Sequence, residues 1–237
     1  MNVLLIPGLW LDAAVWEDVT RPLRAVGHHV VAVSLPGQGD DNPDATLDDQ
    51  IGAITAEMDA VEGPWVLVGH SAGSKLGWLS LDCRVQSVLR LICVGGFPGG
   101  ADQPYFGDLE PQNGWVTFPG WEVFEGPDTE DLDETQRARF VAMSHPVSAR
   151  VTEKVMVFHD PRRYRIPVTV ICPEFTSAQA REWVDAGYLP EVEALRDVTF
   201  VDLDSGHWPM LSCPDRLTEL LSRILLETES DEEPDLG

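Results

Sequence analysis

The stretch WVLVGHSAGSKLG, residues 65–77, decides how the rest of the chain is read. Its first four residues, Trp65 to Val68, are an uninterrupted apolar run, which predicts a strand buried on both faces. Gly69-His70-Ser71-Ala72-Gly73 then fits the pattern G-x-S-x-G, and a helical pattern over 72–83 follows directly. A strand, a sharp turn carrying serine and a helix together form the arrangement that lifts a hydroxyl clear of a sheet as a nucleophile. Ser71 must then sit in a strained conformation, and only residues without a side chain at 69 and 73 let strand and helix backbones approach. The N-terminus of the following helix aims N–H groups and a partial positive charge at the reaction site, which makes the Ala72 N–H one oxyanion donor.

Outward from this turn, short apolar runs alternate with longer amphipathic ones. The strands expected are VLLIP (3–7), HVVAVSL (29–35), WVLVG (65–69), VLRLICV (88–94), VTVIC (168–172) and VTFVDL (198–203). Helices are expected over 13–27, 46–61, 72–83 and 213–227, the second opening with Thr46 and Asp49 in capping-box spacing. The pattern predicts an α/β fold, a mostly parallel central sheet flanked by helices. Residues 97–165 break the rhythm: rich in Gly, Pro, Trp and acidic residues and without strand alternation, they are expected to be an inserted cap or lid between core segments 1–96 and 166–226. The tail 227–237 holds six carboxylates and almost nothing to pack, and is expected to be disordered.

With 237 residues, 43% of them apolar, the chain can bury one substantial core. A net charge of −24, with two lysines beside fourteen arginines, repels phosphate backbones and anionic lipid surfaces, so a small-molecule substrate is expected rather than nucleic acid or membrane. The excess acid fits either solubility or a saline habitat. No run is long enough to span a bilayer, and the start, MNVLLIPG, lacks the features of a signal peptide, so a cytoplasmic location is expected. Cys83, Cys93, Cys172 and Cys213 lie far apart without ligand spacing, which predicts reduced core thiols and no metal site. Nothing in the sequence asks for a cofactor or reports the oligomeric state.

A second oxyanion donor is expected from the loop after the first strand, where Pro7-Gly8 ends the run and the Leu9 N–H faces the same point. Of six histidines, His207 lies between the last strand and the last helix, the place of the general base when nucleophile, acid and base follow in that chain order. His70 is expected to pack behind the turn, and His28 and His29 to be structural.

At this point the chain resembles the α/β-hydrolase superfamily, and within it the plant methylesterase and hydroxynitrile-lyase group and related bacterial esterases. The matching residues are PGLWLDAAVW (7–16), GHSAG (69–73), PVTVICPE (167–174) and GHWPMLSCPDRL (206–217). The resemblance implies the α/β-hydrolase fold and a serine hydrolase, with Ser71 as nucleophile, His207 as base, and no cofactor. One departure stands out. In the group it resembles, an Asp follows this strand as the third catalytic residue, whereas here Phe175 occupies its place and Glu174 precedes it. Three readings stay open: Glu174 is a tentative acid, Asp102 or Asp204 substitutes from a nearby loop, or Ser71 and His207 work without one. The absence of an orienting acid costs serine hydrolases up to about 10⁴ in turnover.

Trp10 and Trp208 flank the catalytic loops and are expected to line an apolar substrate pocket, with Tyr105, Trp115, Trp121 and Phe124 in the presumed cap. Arg162, Arg163 and Arg165 are expected to form a solvated hinge, an anion site being the other reading. The expected activity is hydrolysis of a small carboxylic ester or lactone through an acyl-enzyme. The alternatives are a lyase of the hydroxynitrile type and a ligand-binding protein with vestigial catalysis. Such lyases need a positioned cation, for which the chain offers Lys75 on the nucleophile helix and Lys154 near the cap.

Overall fold

The computed structural model describes residues 1–232. In chain order the elements are β1 (Asn2–Ile6), α1 (Glu17–Ala25), β2 (His29–Ala32), α2 (Leu47–Ala60), β3 (Trp65–His70), α3 (Ala72–Cys83), β4 (Val88–Val94), β5 (Trp115–Val116), α4 (Glu134–Met143), β6 (Val147–Ser148), α5 (Ala149–Thr152), β7 (Val168–Cys172), α6 (Ser177–Asp185), α7 (Pro190–Glu193), β8 (Val198–Asp202), α8 (Pro209–Ser212) and α9 (Pro214–Glu232).

Six strands form one parallel sheet in the order β2-β1-β3-β4-β7-β8. Each expected strand is present. The uniformly apolar runs behave as their composition dictates: β3 and β7 are buried at every position, while the edge strand β8 is partly exposed. Helix α2 begins with the expected capping box, Thr46 and Asp49 each accepting the other's backbone N–H. Helix α6 was not anticipated from the sequence; it too opens on a capping box, between Thr176 and Gln179.

The strand order reverses between β1 and β3. In a parallel sheet the chains leaving neighbouring strands at such a point run to opposite faces, and a crevice opens at the carboxyl ends. The loop after β1 and the turn carrying Ser71 both lie there.

Residues 97–165 differ from expectation in containing a small antiparallel pair, β5–β6, beside helix α4. Their apolar side chains Tyr105, Phe140, Val147, Val151 and Met156 join the same buried cluster as the sheet. Helix α9 carries a stripe of Leu217, Leu220, Leu221, Ile224 and Leu225, all buried. It continues to Glu232, so the first six residues of the segment expected to be disordered are helical, and residues 233–237 lie outside the described ones. Among the described residues no helix is long and apolar enough to cross a membrane.

Candidate active site

Ser71 links the end of β3 to the first residue of α3 with φ 52° and ψ −123°, a backbone conformation that costs an L-residue of order 1–3 kcal/mol. Its N–H donates to Val94 O on β4 at 2.8 Å, which ties the strained residue to the sheet. The flanking glycines are demanded by contact. A Cβ on Gly69 would lie 2.3 Å from Gly73 O, and one on Gly73 would lie 2.6 Å from Pro7 O. Strand, helix and the loop after β1 therefore meet backbone to backbone.

That loop is Pro7 to Leu11. A Cβ on Gly8 would strike His70 Nδ1 at 2.8 Å and Ser71 Cβ at 3.2 Å, so the loop presses on the turn. Buried Gln38 holds it there: its Nε2 donates to Gly8 O at 2.9 Å and also to Leu11 O. A peptide's C=O and N–H point opposite ways, so fixing Gly8 O toward Gln38 turns the Leu9 N–H away from it. Leu9 N makes no hydrogen bond among the described residues, and Leu9 and Ser71 border one recess. Ala72 opens α3, where backbone N–H groups have no partner within the helix.

His207 follows β8 on a loop held from two sides. Its own N–H donates to Asp128 O at 2.8 Å, and the preceding Gly206 N–H donates to Asp131 Oδ2 at 2.7 Å. Both acceptors belong to the 97–165 segment. From beneath, His70 Nε2 donates to the His207 carbonyl at 2.7 Å. His70 is fully buried and its pKa is pushed down to about 3 by desolvation, with the neighbouring His207 adding to the effect, so the ring is neutral and its single proton is spent on that bond. His70 thus packs behind the turn as expected, whereas Gln38, Asp128 and Asp131 are support residues that the sequence reading did not single out.

On its ring, His207 Nδ1 lies 2.7 Å from Glu174 Oε1, both side chains being about 14% exposed. Glu174 stands two residues beyond β7, in the turn. Phe175, the next residue, goes elsewhere: it stacks on Phe97 at 5.3 Å and packs against Trp183 at 5.1 Å. Asp204 is fully exposed, 3.9 Å from Arg216, and Asp102 sits on an exposed turn with φ 62°. Neither contacts His207. Glu174 Oε2 is buried without a partner. Burial pushes the nearby Asp128 carboxyl upward, the His207 charge opposing and the Glu174 charge adding to that rise.

Two cavities meet at Ser71. A small recess of about 40 Å³ is lined by Leu9, Trp10, His70, Ser71, Phe106, Phe124, His207 and Trp208. A larger one of about 340 Å³ runs from Ser71 and Ala72 past Lys75 and Phe97 to Tyr188 and Glu191. Trp10 and Trp208 thus border the recess, as does Phe124, while Trp121 buttresses Trp208 edge-on at 5.4 Å and Tyr105 is buried in the core. Trp115 lies in β5 and borders neither cavity.

Of the three arginines, Arg163 departs from both sequence readings, while Arg162 and Arg165 are exposed, as the solvated reading has them. Arg163 is buried, 3.4 Å from Asp82 and 3.3 Å from Glu191, with its guanidinium over Phe158 and Tyr164. Arg162 pairs with Asp160 on the surface. Arg163 clamps its turn to α3 and neither hinges in solvent nor offers a free anion site. All four cysteines are free thiols; Cys93, Cys172 and Cys213 are buried as expected, but Cys83, at the end of α3, is exposed. Burial pushes the Cys93 and Cys172 thiols up to about 12, so neither is a thiolate at neutral pH.

Comparisons with known proteins agree on the scaffold. The model of the alpha/beta hydrolase family matches residues 3–220. No curated protein matches the chain. Among solved structures, an extracellular alpha/beta-hydrolase from a Paenibacillus species superposes with a TM-score of 0.78 at 18% identity, over 94% of this chain and 98% of that one. That protein is described as sharing structural and functional homology with tobacco salicylic acid binding protein 2. The methylesterase MES16 from Arabidopsis gives 0.70 at 17% identity, over 96% and 99%. A pyrethroid hydrolase from Sphingobium faniae gives 0.67 at 19% identity, over 99% of both chains.

Proposed function

The chain belongs to the alpha/beta hydrolase family, and on that premise we propose that it is a serine hydrolase cleaving a small carboxylic ester or lactone through an acyl-enzyme. The observation that carries this reading is the bond from His207 Nδ1 to Glu174 Oε1 at 2.7 Å, with His207 and Ser71 bordering one recess. A proton held on Nδ1 leaves Nε2 as the basic nitrogen, which a general base toward a serine hydroxyl requires.

In this mechanism Ser71 Oγ attacks the substrate carbonyl as its proton passes to His207 Nε2. The tetrahedral oxyanion lies between the Leu9 and Ala72 N–H groups, each donor contributing on the order of 3 kcal/mol. The His207 proton leaves with the departing alkoxide, releasing the alcohol. Water, losing a proton to His207, then opens the acyl-enzyme, and the acid departs as Ser71 regains its proton. Glu174 serves as the acid of the triad: it keeps the imidazole in the Nδ1–H form and stabilises the imidazolium without taking its proton. Trp10, Trp208 and Phe124 make the recess apolar, residues 97–165 act as its cap, and the larger cavity suits a small-molecule substrate.

A fluorophosphonate probe tests this directly. Covalent labelling is expected on Ser71, absent in Ser71→Ala and sharply reduced in His207→Ala. Folded protein that takes no label would overturn the hydrolase reading in favour of a binding protein on this scaffold. Assay of 4-nitrophenyl esters, methyl esters and lactones then ranks the substrates.

A further inference from the structure

Lys75 stands apart from the rest of this acidic chain. It is one of two lysines in a protein of net charge −24, and it lies one helical turn beyond Ser71 on α3. Residues four apart share a helix face and are separated by about 6 Å along the axis. Lys75 accordingly lines the larger cavity together with Ser71 and Ala72, and it is the one cationic side chain bordering either cavity at Ser71 among the described residues.

Its placement is built. The side-chain stem packs on Gly99, where a Cβ would lie 3.1 Å from both Lys75 Cγ and Cδ. The ammonium donates to Tyr105 O at 3.0 Å and sits 5.7 Å from the centre of the Phe106 ring. An ammonium carries three donors, and that carbonyl takes one. Two carboxylates are near. Glu191 borders the same cavity, but its Oε1 already accepts from Trp78 Nε1, Tyr164 Oη and Arg163. Asp108 attracts Lys75 electrostatically, and among the described residues the two form no ion pair. Burial lowers the Lys75 pKa, with Asp108 opposing, so its desolvation is only partly offset within the protein.

We propose that Lys75 is the specificity residue of this enzyme: it receives an ionised carboxylate carried by the substrate several bonds from the scissile carbonyl. The preferred substrates are then half-esters of short dicarboxylic acids, cleaved by water to the diacid and an alcohol. The inference rests on the serine-hydrolase reading of Ser71. The geometry supplies its logic: a helix that presents its first N–H groups to the oxyanion presents its next turn to whatever lies one substrate-length away. In a chain whose overall field repels anions, a carboxylate is admitted only where a cation meets it at close range.

The test compares 4-nitrophenyl hydrogen glutarate with its neutral counterpart 4-nitrophenyl pentanoate. The glutarate half-ester should be favoured in kcat/KM, and the ratio should fall about 10-fold or more in Lys75→Met, recovering in part in Lys75→Arg. Fluorophosphonate labelling of Ser71 is measured on the same preparations. Labelled enzyme whose ratio is the same with and without Lys75 overturns this inference and leaves the hydrolase reading intact. If Ser71 takes no label and neither ester is turned over, the hydrolase reading fails. Calorimetry on Ser71→Ala protein then decides on binding alone: glutarate bound more tightly than glutaramide, and the difference lost in Ser71→Ala/Lys75→Met, supports the site, and equal affinities overturn it.

Discussion

The strained φ of Ser71 persists because its surroundings leave no other conformation: its N–H is bonded to β4, and glycine contacts close in from both sides. The same single-residue logic applies to the proposed acid. Glu174 reaches His207 from the turn beyond β7, and its neighbour Phe175 is committed to Phe97 and Trp183. Glu174→Gln should therefore lower kcat by about 10²–10⁴ with little change in thermal stability. Asp204→Asn, on a fully exposed side chain, should leave kcat within a factor of about two; the reverse outcome in steady-state assays would remove Glu174 from its role. His70 makes a separate statement about pH. Its pKa is about 3 in the fold against 6.5 when exposed, so between those values the unfolded chain binds a proton that the native one refuses. Stability from this group is whole above pH 6.5 and falls on acidification by up to about 1.4 kcal/mol per pH unit. Urea titrations from pH 7 to pH 4 should show a steeper loss for the wild type than for His70→Asn.

At the scale of elements, the site exists because β1, β3 and α3 approach more closely than side chains permit. Gly69→Ala puts a Cβ 2.3 Å from Gly73 O, a contact with backbone that no rotamer change relieves. The variant should lose at least about 1–3 kcal/mol in chemical denaturation and most of its turnover, since the helix must back away from the loop after β1. The His207 loop is likewise a junction of elements: the 97–165 segment holds Gly206 and His207 through Asp131 and Asp128, and His70 holds the same loop from β3. The proposed base, positioned by two separate segments, is held to a tolerance that an isolated loop would not reach.

For the molecule as a whole, the ion cluster of Arg163, Asp82 and Glu191 locks the turn before β7 and the helix α7 onto α3. Asp82 accepts two further backbone N–H groups, from His159 and Asp160, so it remains anchored whichever partner is removed. Arg163→Met leaves the buried Asp82 and the part-buried Glu191 without their cation, and a loss of about 3–5 kcal/mol in global stability is expected from urea denaturation. A loss below about 1 kcal/mol would mean that the cluster is a surface pair in effect, with water reaching it.

The six strands, their burial and the serine turn follow from local pattern, because an apolar run, a glycine pair and a cap act within a few residues of one another. So does the place of His207, set by chain order between the last strand and the last helix. What joins these parts is long-range: Gln38 reaches Gly8 across 30 residues, Asp131 reaches Gly206 across 75, and His70 reaches His207 across 137. No periodicity encodes such contacts. Choosing Glu174 over Asp102 and Asp204 as the partner of His207 took the turn beyond β7, which points one side chain at the imidazole and the next into an aromatic cluster. Composition marked Lys75 as rare, but only the packing of α3 against the cavity wall turned that rarity into a charge beside the serine. Local physics determined the elements and the serine turn; the closing of distant segments on one another decided which groups meet.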